Sequence, residues 1–343
     1  MSDSPVVTST GYSRSLPLAV RERALSAIAP FLSLAVVIVL FYVIPHSPPV
    51  TLLDVRTVAV HTVIVGLAAM GMTFVIISGG IDLSVGSVIA LSSVATALVL
   101  KHSGPLWLAI LVALATGAVC GLYNALLITL LRLPPFIATL GTLGFFRGVA
   151  KWLSASIPVN IPADAPARAS LDALATWVYP VPTREWLLLA PAVWLMLAVA
   201  VLLAVVLRYT VLGRHTFAIG SNEATAWLCG IRVPLVKIRI YVLAGLLTGL
   251  AGLMQFARLT QGDPVVAIGL ELDVIAAVVI GGGSLAGGQG AVVSTLAGAF
   301  LMAYLRNRCT ALRWPNFVQE MIVGHIIIVA VAIDQWRLRR MER

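Results

Sequence analysis

The hydrophobic positions of this 343-residue chain fall in long unbroken runs. They show neither the stripe of an amphipathic helix nor the alternation of a half-buried strand. From residue 27 onward, stretches of about 20 apolar residues recur between short polar connections, and about 20 helical residues cross a hydrocarbon core of ~30 Å. The pattern predicts helical spans over 27–45, 58–78, 83–100, 106–131, 136–153, 186–207, 241–259, 272–280, 291–305 and 318–333. The expected fold is therefore all-α: a polytopic membrane protein of about ten helices, some broken at glycine-rich points. Residues 1–26 form a tail, 27–335 the membrane domain and 336–343 a short basic tail. Two longer connections, 154–185 and 208–239, interrupt the pattern.

Composition agrees with this solvent. The chain is 60% hydrophobic and 11% charged, with mean hydropathy +1.01, whereas soluble domains carry about a quarter charged residues. The net charge of +9 raises the question of nucleic acid, but no basic domain exists to hold one. The charge sits in the connections instead. The 208–239 segment carries Arg208, Arg214, Arg232, Lys237 and Arg239, whereas 154–185 carries only Arg168 and Arg184. By the positive-inside rule this places 208–239 and both termini in the cytoplasm and 154–185 outside. Arg306, Arg308 and Arg313 fall on outer connections and follow the rule less well. Cys120, Cys229 and Cys309 have no metal-ligand spacing and read as packing residues. The segment containing Arg14, Arg21, Glu22 and Arg23 lacks a cleavage-site pattern, so the first span is expected to be a retained helix.

The informative residues are those that break the apolar runs. In "GGIDLSVGS", Gly79 and Gly80 precede the lone carboxylate Asp82, with Ser84 just beyond. Glycines at membrane depth free backbone groups that lipid cannot satisfy, so such a break faces protein or a wet cavity. Two roles are open to Asp82: its carboxylate caps the restarting helix, with Ser84 nearby, or it lines a translocation path, since ionisable residues at membrane depth are costly and usually purposeful. Asn124 is the one amide of its helix, serving either as interhelical glue or as a solute contact. Gly141, Gly144 and Gly148 are expected to allow close helix packing. "GGIDLSVGSVIALSSV" from Gly79 is echoed by "GGGSLAGGQGAVVSTL" from Gly281, with Gly281, Gly282 and Gly283 as a second break. Broken-helix units recur in the two halves of many transporters, and chance likeness between two small-residue stretches explains the echo equally well.

The 208–239 segment is polar yet patterned. Asn222 is placed to cap a short helix with Glu223 in its first turn. Ala224, Trp227, Leu228 and Ile231 form an apolar stripe, and Gly230 and Pro234 close it. Such a helix lies on the bilayer or docks into a groove of a partner protein.

At these motifs the chain resembles the membrane-spanning permease subunits of bacterial ABC importers of the ribose/xylose/galactose type. The resemblance rests on "GMTFVIISGGIDLSVGSVIAL", "PFIATLGTLGFFRGVA", "GRHTFAIGSNEATAWLCGI", "GLELDVIAAVVIGGGSLAGGQG" and "MIVGHIIIVAVAIDQWR", in order over 71–337. It implies two permease subunits, identical or paralogous, pairing in the bacterial inner membrane around one path. It also implies a periplasmic sugar-binding protein and a two-cassette cytoplasmic ATPase that holds ATP and Mg. By the same resemblance Gly220, Asn222, Glu223, Ala224 and Gly230 belong to the element seated in the ATPase. Gly79, Gly80, Asp82 and Ser84, with Asn124 and Thr139, would line the path. The chain has no phosphate-binding "GxxxxGK[ST]" loop, so it is expected to be a transporter subunit and not the ATPase, with no cofactor, metal or nucleic acid of its own. A stand-alone secondary transporter or channel is the rival class; His61, Asp82, Glu271, Asp273 and Glu320 are its scattered candidates for an ion relay.

Overall fold

A computed structural model describes residues 31–44, 48–162, 168–179 and 188–341. The expected tail 1–26, and the ends of the long connection around 163–167 and 180–187, lie outside the described residues. A helix overlaps every predicted span: α1 (Phe31–Val43), α2 (Leu52–Ile77), α3 (Val85–Lys101), α4 (Leu106–Thr129), α5 (Pro135–Leu153), α7 (Pro191–Tyr209), α10 (Val233–Leu259), α11 (Leu270–Ile280), α12 (Val292–Ala311) and α13 (Asn316–Met341). The connections add α6 (Arg168–Val178), α8 (Val211–Ser221) and α9 (Glu223–Leu228). Among the described residues the strands are β1 (Val159–Asn160) and β2 (Gln261–Gly262), antiparallel with Val159 opposite Gly262.

The helix α2 is the axis of the bundle. Thr51 and Asp54 form a reciprocal capping box at its start, and 19 residues from Val58 to Ile77 are buried. A helix apolar on every face belongs in the interior, and α7, α10, α11 and α12 surround it. Among the described residues four helices, α2, α4, α7 and α10, are long and apolar enough to cross a membrane alone. The eighth predicted span, α11, has 11 residues, about 16 Å at 1.5 Å per residue, and so covers only about half of a bilayer core.

Close packing is carried by glycines other than those expected. A Cβ on Gly117 or Gly121 of α4 would overlap the Gly245 or Tyr241 carbonyl of α10, and one on Gly249 would lie 2.5 Å from the Ala113 oxygen. Small residues on facing helices are what let backbones touch in lipid. Gly141, Gly144 and Gly148, by contrast, have nothing within 4 Å of an added Cβ. Their face of α5 is open in the single chain, because α5 packs on α3 and α4 through its other side.

Other expectations are corrected. The helix α10 starts at Val233, eight residues before the predicted span, because Pro234 fits its first turn. The basic tail expected over 336–343 is not contradicted: α13 runs on into it, to Met341. Of the three cysteines, Cys120 and Cys309 are buried but Cys229 is exposed.

Candidate functional site

Two ends of the bundle are defined by contacts. At one, α8 sits against the C-terminus of α2, with α9 following it: a Cβ on Gly220 would overlap the Ile77 carbonyl oxygen. At the other, the Arg56 Nε donates to the Leu188 oxygen at 3.0 Å, and Gly262 abuts Ala97 near the end of α3. Between these ends the chain makes two partial returns. After α2 it turns at Gly79 (φ +80°) and climbs through Ile81 and Asp82 to start α3. After α10 it descends through 260–269 to start α11. The two starts meet, since Gly86 in the first turn of α3 has room for no Cβ: one would overlap the Ala267 carbonyl and lie 2.5 Å from the Glu271 Oε2. From there α3 runs to the far end and α11 back toward α8. Two helix N-termini facing each other at depth concentrate backbone N–H groups and positive dipole ends at one place.

Acids and amides answer those donors. Asp82, buried, accepts at Oδ1 from the Ser84 N–H at 2.8 Å and the Ser84 hydroxyl at 2.6 Å. This bond closes a turn one residue ahead of α3. Ser84 itself is the N-cap residue and its side chain makes no capping bond to the helix, so Asp82 holds the N-cap residue instead of the first turn and the expected side-chain cap is not made. Asn124, on α4, donates to the Ser84 hydroxyl at 2.9 Å and accepts from the Thr142 hydroxyl of α5 at 2.7 Å. The Thr139 hydroxyl reaches the Ile81 carbonyl at 3.1 Å and the Pro135 carbonyl at 2.9 Å. On the other return, the Glu271 Oε1 accepts from the Gly269 N–H at 3.2 Å. Arg147 of α5 donates through Nη1 to the Pro264 and Val266 carbonyls at 2.9 and 2.7 Å.

Gly79, Gly80, Asp82, Ser84, Asn124 and Thr139 are thus brought together at one break by α2, α3, α4 and α5, all of them buried except Gly79. Thr142, Arg147 and Tyr241 complete the surroundings and were missed. Tyr241 is buried, its hydroxyl has no hydrogen-bond partner among the described residues, and a Cβ on Gly80 would lie 2.6 Å from it. Glycine at 80 makes room for that hydroxyl, which no sequence pattern reveals. Chemically the site is a chain of hydroxyls, amides and the Asp82 carboxylate that bond one another, with Glu271 and Arg147 on the adjoining return.

The second group is also assembled, apart from this network. The Asn222 side chain caps α9 by accepting from the Thr225 N–H at 2.8 Å, and Gly230 (φ +84°) ends it. Glu223 is bound by Lys237 at 2.8 Å. The apolar stripe faces outward in the single chain: Ala224 is exposed, Trp227 and Leu228 are 67% and 76% exposed, and Ala226 is the buried residue of α9. The helix has only six residues, less than two turns, so one side chain faces inward. A hollow of about 420 Å³ lined by Trp227, Gly230, Ile231, Arg232, Pro234 and Leu235 opens beside it.

The third group, Gly281, Gly282 and Gly283, ends α11 as Ser78, Gly79 and Gly80 end α2. The Gly79 and Gly80 N–H groups bond the Ile76 and Val75 carbonyls, and those of Gly282 and Gly283 bond Val279 and Val278, with φ +80° and +85° at Gly79 and Gly282. The same cap also ends α3, α9 and α12, at Ser103–Gly104, Gly230–Ile231 and Arg313–Trp314, so the shared geometry at Gly79 and Gly282 does not distinguish a repeat from chance likeness.

The family described as the branched-chain amino acid transport system / permease component matches residues 55–331. The ribose import permease protein of Bacillus subtilis is 39% identical over 320 residues, covering 92% of this chain and 94% of that protein. Its counterpart in Escherichia coli K12 is 36% identical over 308 residues, 88% of this chain and 92% of that one. The L-arabinose transport system permease protein of Escherichia coli K12 is 34% identical over 272 residues, 79% of each. No solved structure matches the chain. With a family match across most of its length, relatives above 30% identity, and an all-helical body holding two glycine breaks, the chain belongs to the branched-chain amino acid transport system permease component family.

Proposed function

We propose that this chain is the membrane permease subunit of a bacterial inner-membrane ABC importer for a monosaccharide of the pentose or hexose class. The observation that carries the reading is 39% identity over 92% of the chain with a ribose import permease protein. The chemistry of the break supports it. A sugar is uncharged and rich in hydroxyls, and Asp82, Ser84, Asn124, Thr139 and Thr142 offer hydroxyl, amide and carboxylate partners without a matched charge pair. Weak polar sites let a solute pass without a deep well that would hold it. Recognition then falls chiefly to a periplasmic binding protein, and two permease subunits enclose the path.

The end bearing α8 and α9 is the cytoplasmic face, consistent with Arg208, Arg214, Arg232, Lys237 and Arg239, and both termini lie there. Exposed Trp227 and Leu228 and the hollow beside them give a two-cassette ATPase an apolar anchor. ATP-driven closure of that partner shifts the permease pair between outward- and inward-facing states.

The test is uptake of labelled ribose and L-arabinose into vesicles holding this chain with its cognate ATPase and binding protein. Uptake is expected only with all components and ATP. Accumulation against a gradient by this chain alone, without nucleotide, would instead establish the secondary transporter.

A further inference from the structure

The element assigned above to the ATPase contact and the two glycine breaks meet at one point, and they meet through backbone. Gly220 is at the end of α8. Beyond the overlap with the Ile77 carbonyl, a Cβ there would lie 2.6 Å from the Gly288 nitrogen. The Gly288 N–H donates to that same Ile77 oxygen at 2.9 Å, across 211 positions of sequence. A Cβ on Gly287 would lie 2.7 Å from the Gly220 oxygen, and one on Gly290 2.8 Å from the Ile77 Cγ1. Gly287 and Gly288 have φ of +91° and +73°, which side chains rarely adopt. The loop carrying them is closed on itself by Ser284 N–H to the Gln289 oxygen and Gly287 N–H to the Ser284 oxygen.

A junction of this kind behaves differently from an ordinary helix contact. Side chains between elements can change rotamer and absorb a displacement, whereas close-packed backbone transmits it. The end of α2 leads directly into the Gly79–Gly80 turn, and the loop holding Gly287 and Gly288 follows directly on Gly283. Resting on the importer reading above, we propose that Gly220, Ile77 and Gly288 form a rigid junction through which α8 moves both helix breaks together, making them one inner gate. Gly220, Gly287 and Gly288 are then positioning residues of transport, and none of them touches solute.

The coupling ratio tests the junction. In the reconstituted importer, Gly220→Ala should lower ribose moved per ATP at least tenfold while ATP hydrolysis persists, and Gly324→Ala, which meets nothing within 4 Å, should change neither. An unchanged ratio in an assembled Gly220→Ala complex overturns the junction. Amide hydrogen exchange reads the same contact without transport: Gly220→Ala should speed exchange over 284–290 at least tenfold relative to the unsubstituted protein, because the Gly288 N–H loses its place on the Ile77 oxygen, and unchanged exchange there also overturns it. Faster exchange in a protein that moves no sugar with ATP condemns the importer reading and leaves the junction standing.

Discussion

Replacing Ser84 with alanine removes the centre of the buried network and separates two views of what polar groups are worth here. The Ser84 hydroxyl donates to the Asp82 carboxylate at 2.6 Å and accepts from the Asn124 amide at 2.9 Å. Loss of the first takes away a charge-assisted bond, about 1.5–3 kcal/mol. Loss of the second leaves a fully buried N–H unsatisfied, a further ~1–3 kcal/mol. The carboxylate keeps the Ser84 backbone N–H, and the bonds from the Ser87 hydroxyl and Val88 N–H to the Ser84 carbonyl are untouched, so the change stays local. The expected loss is therefore about 2.5–6 kcal/mol, against ~0.6 kcal/mol for an average interhelical hydrogen bond in lipid. Denaturation of the purified protein by SDS in mixed micelles, followed by circular dichroism, measures it. A double-mutant cycle sharpens the result. With Asn124→Leu already in place no amide is left to orphan, so Ser84→Ala should then cost about 1–3 kcal/mol less. Thr142 survives that background because the Thr139 carbonyl lies 3.2 Å from its hydroxyl. A Ser84→Ala loss below ~1 kcal/mol, additive with Asn124→Leu, would show that the network is wet and loosely made.

Three further outcomes follow from the same geometry. Asp82→Asn keeps an oxygen to accept from Ser84 but loses the charge, so assembly should persist while sugar uptake falls; full uptake would remove Asp82 from the path. Arg306→Met strands Asp273, which is 2% exposed and bound by Arg306 at 2.7 and 3.0 Å. That should cost about 3–5 kcal/mol, with most of it regained in Arg306→Met/Asp273→Leu, and equal losses in both variants would refute the pairing. Tyr241→Phe removes a buried hydroxyl without a protein partner, so stability should hold or rise by about 1 kcal/mol, and a loss of that size would reveal a partner beyond those described.

Much of the site was legible because its local half is written in contiguous residues. Gly79, Gly80, Asp82 and Ser84 break an apolar run, and a turn closed by Asp82 on Ser84 spans only one intervening residue. Asn124 stood out for the same reason, as an amide in hydrocarbon that must find a partner. Which partner it finds was not legible. Thr142 lies 18 residues away on another helix and looks like any membrane threonine. Gly117 and Gly121 were passed over while Gly141, Gly144 and Gly148 drew notice, because a small-residue stripe specifies a close approach without naming the element that fills it.

Hydropathy, the glycine breaks and the distribution of Lys and Arg by themselves determined an all-helical membrane body, its helix positions and its two unusual connections. These depend on transfer of each side chain between water and lipid and on local backbone freedom, both properties of short stretches. Only the tertiary structure decided that α11 is a half-length helix whose start faces that of α3. It alone seated Gly220 against Ile77 and Gly288, and joined Asp82 to Thr142 through Ser84 and Asn124. Those contacts are set by how helices distant in sequence pack around α2, where shape and hydrogen-bond geometry, not periodicity, select the partner.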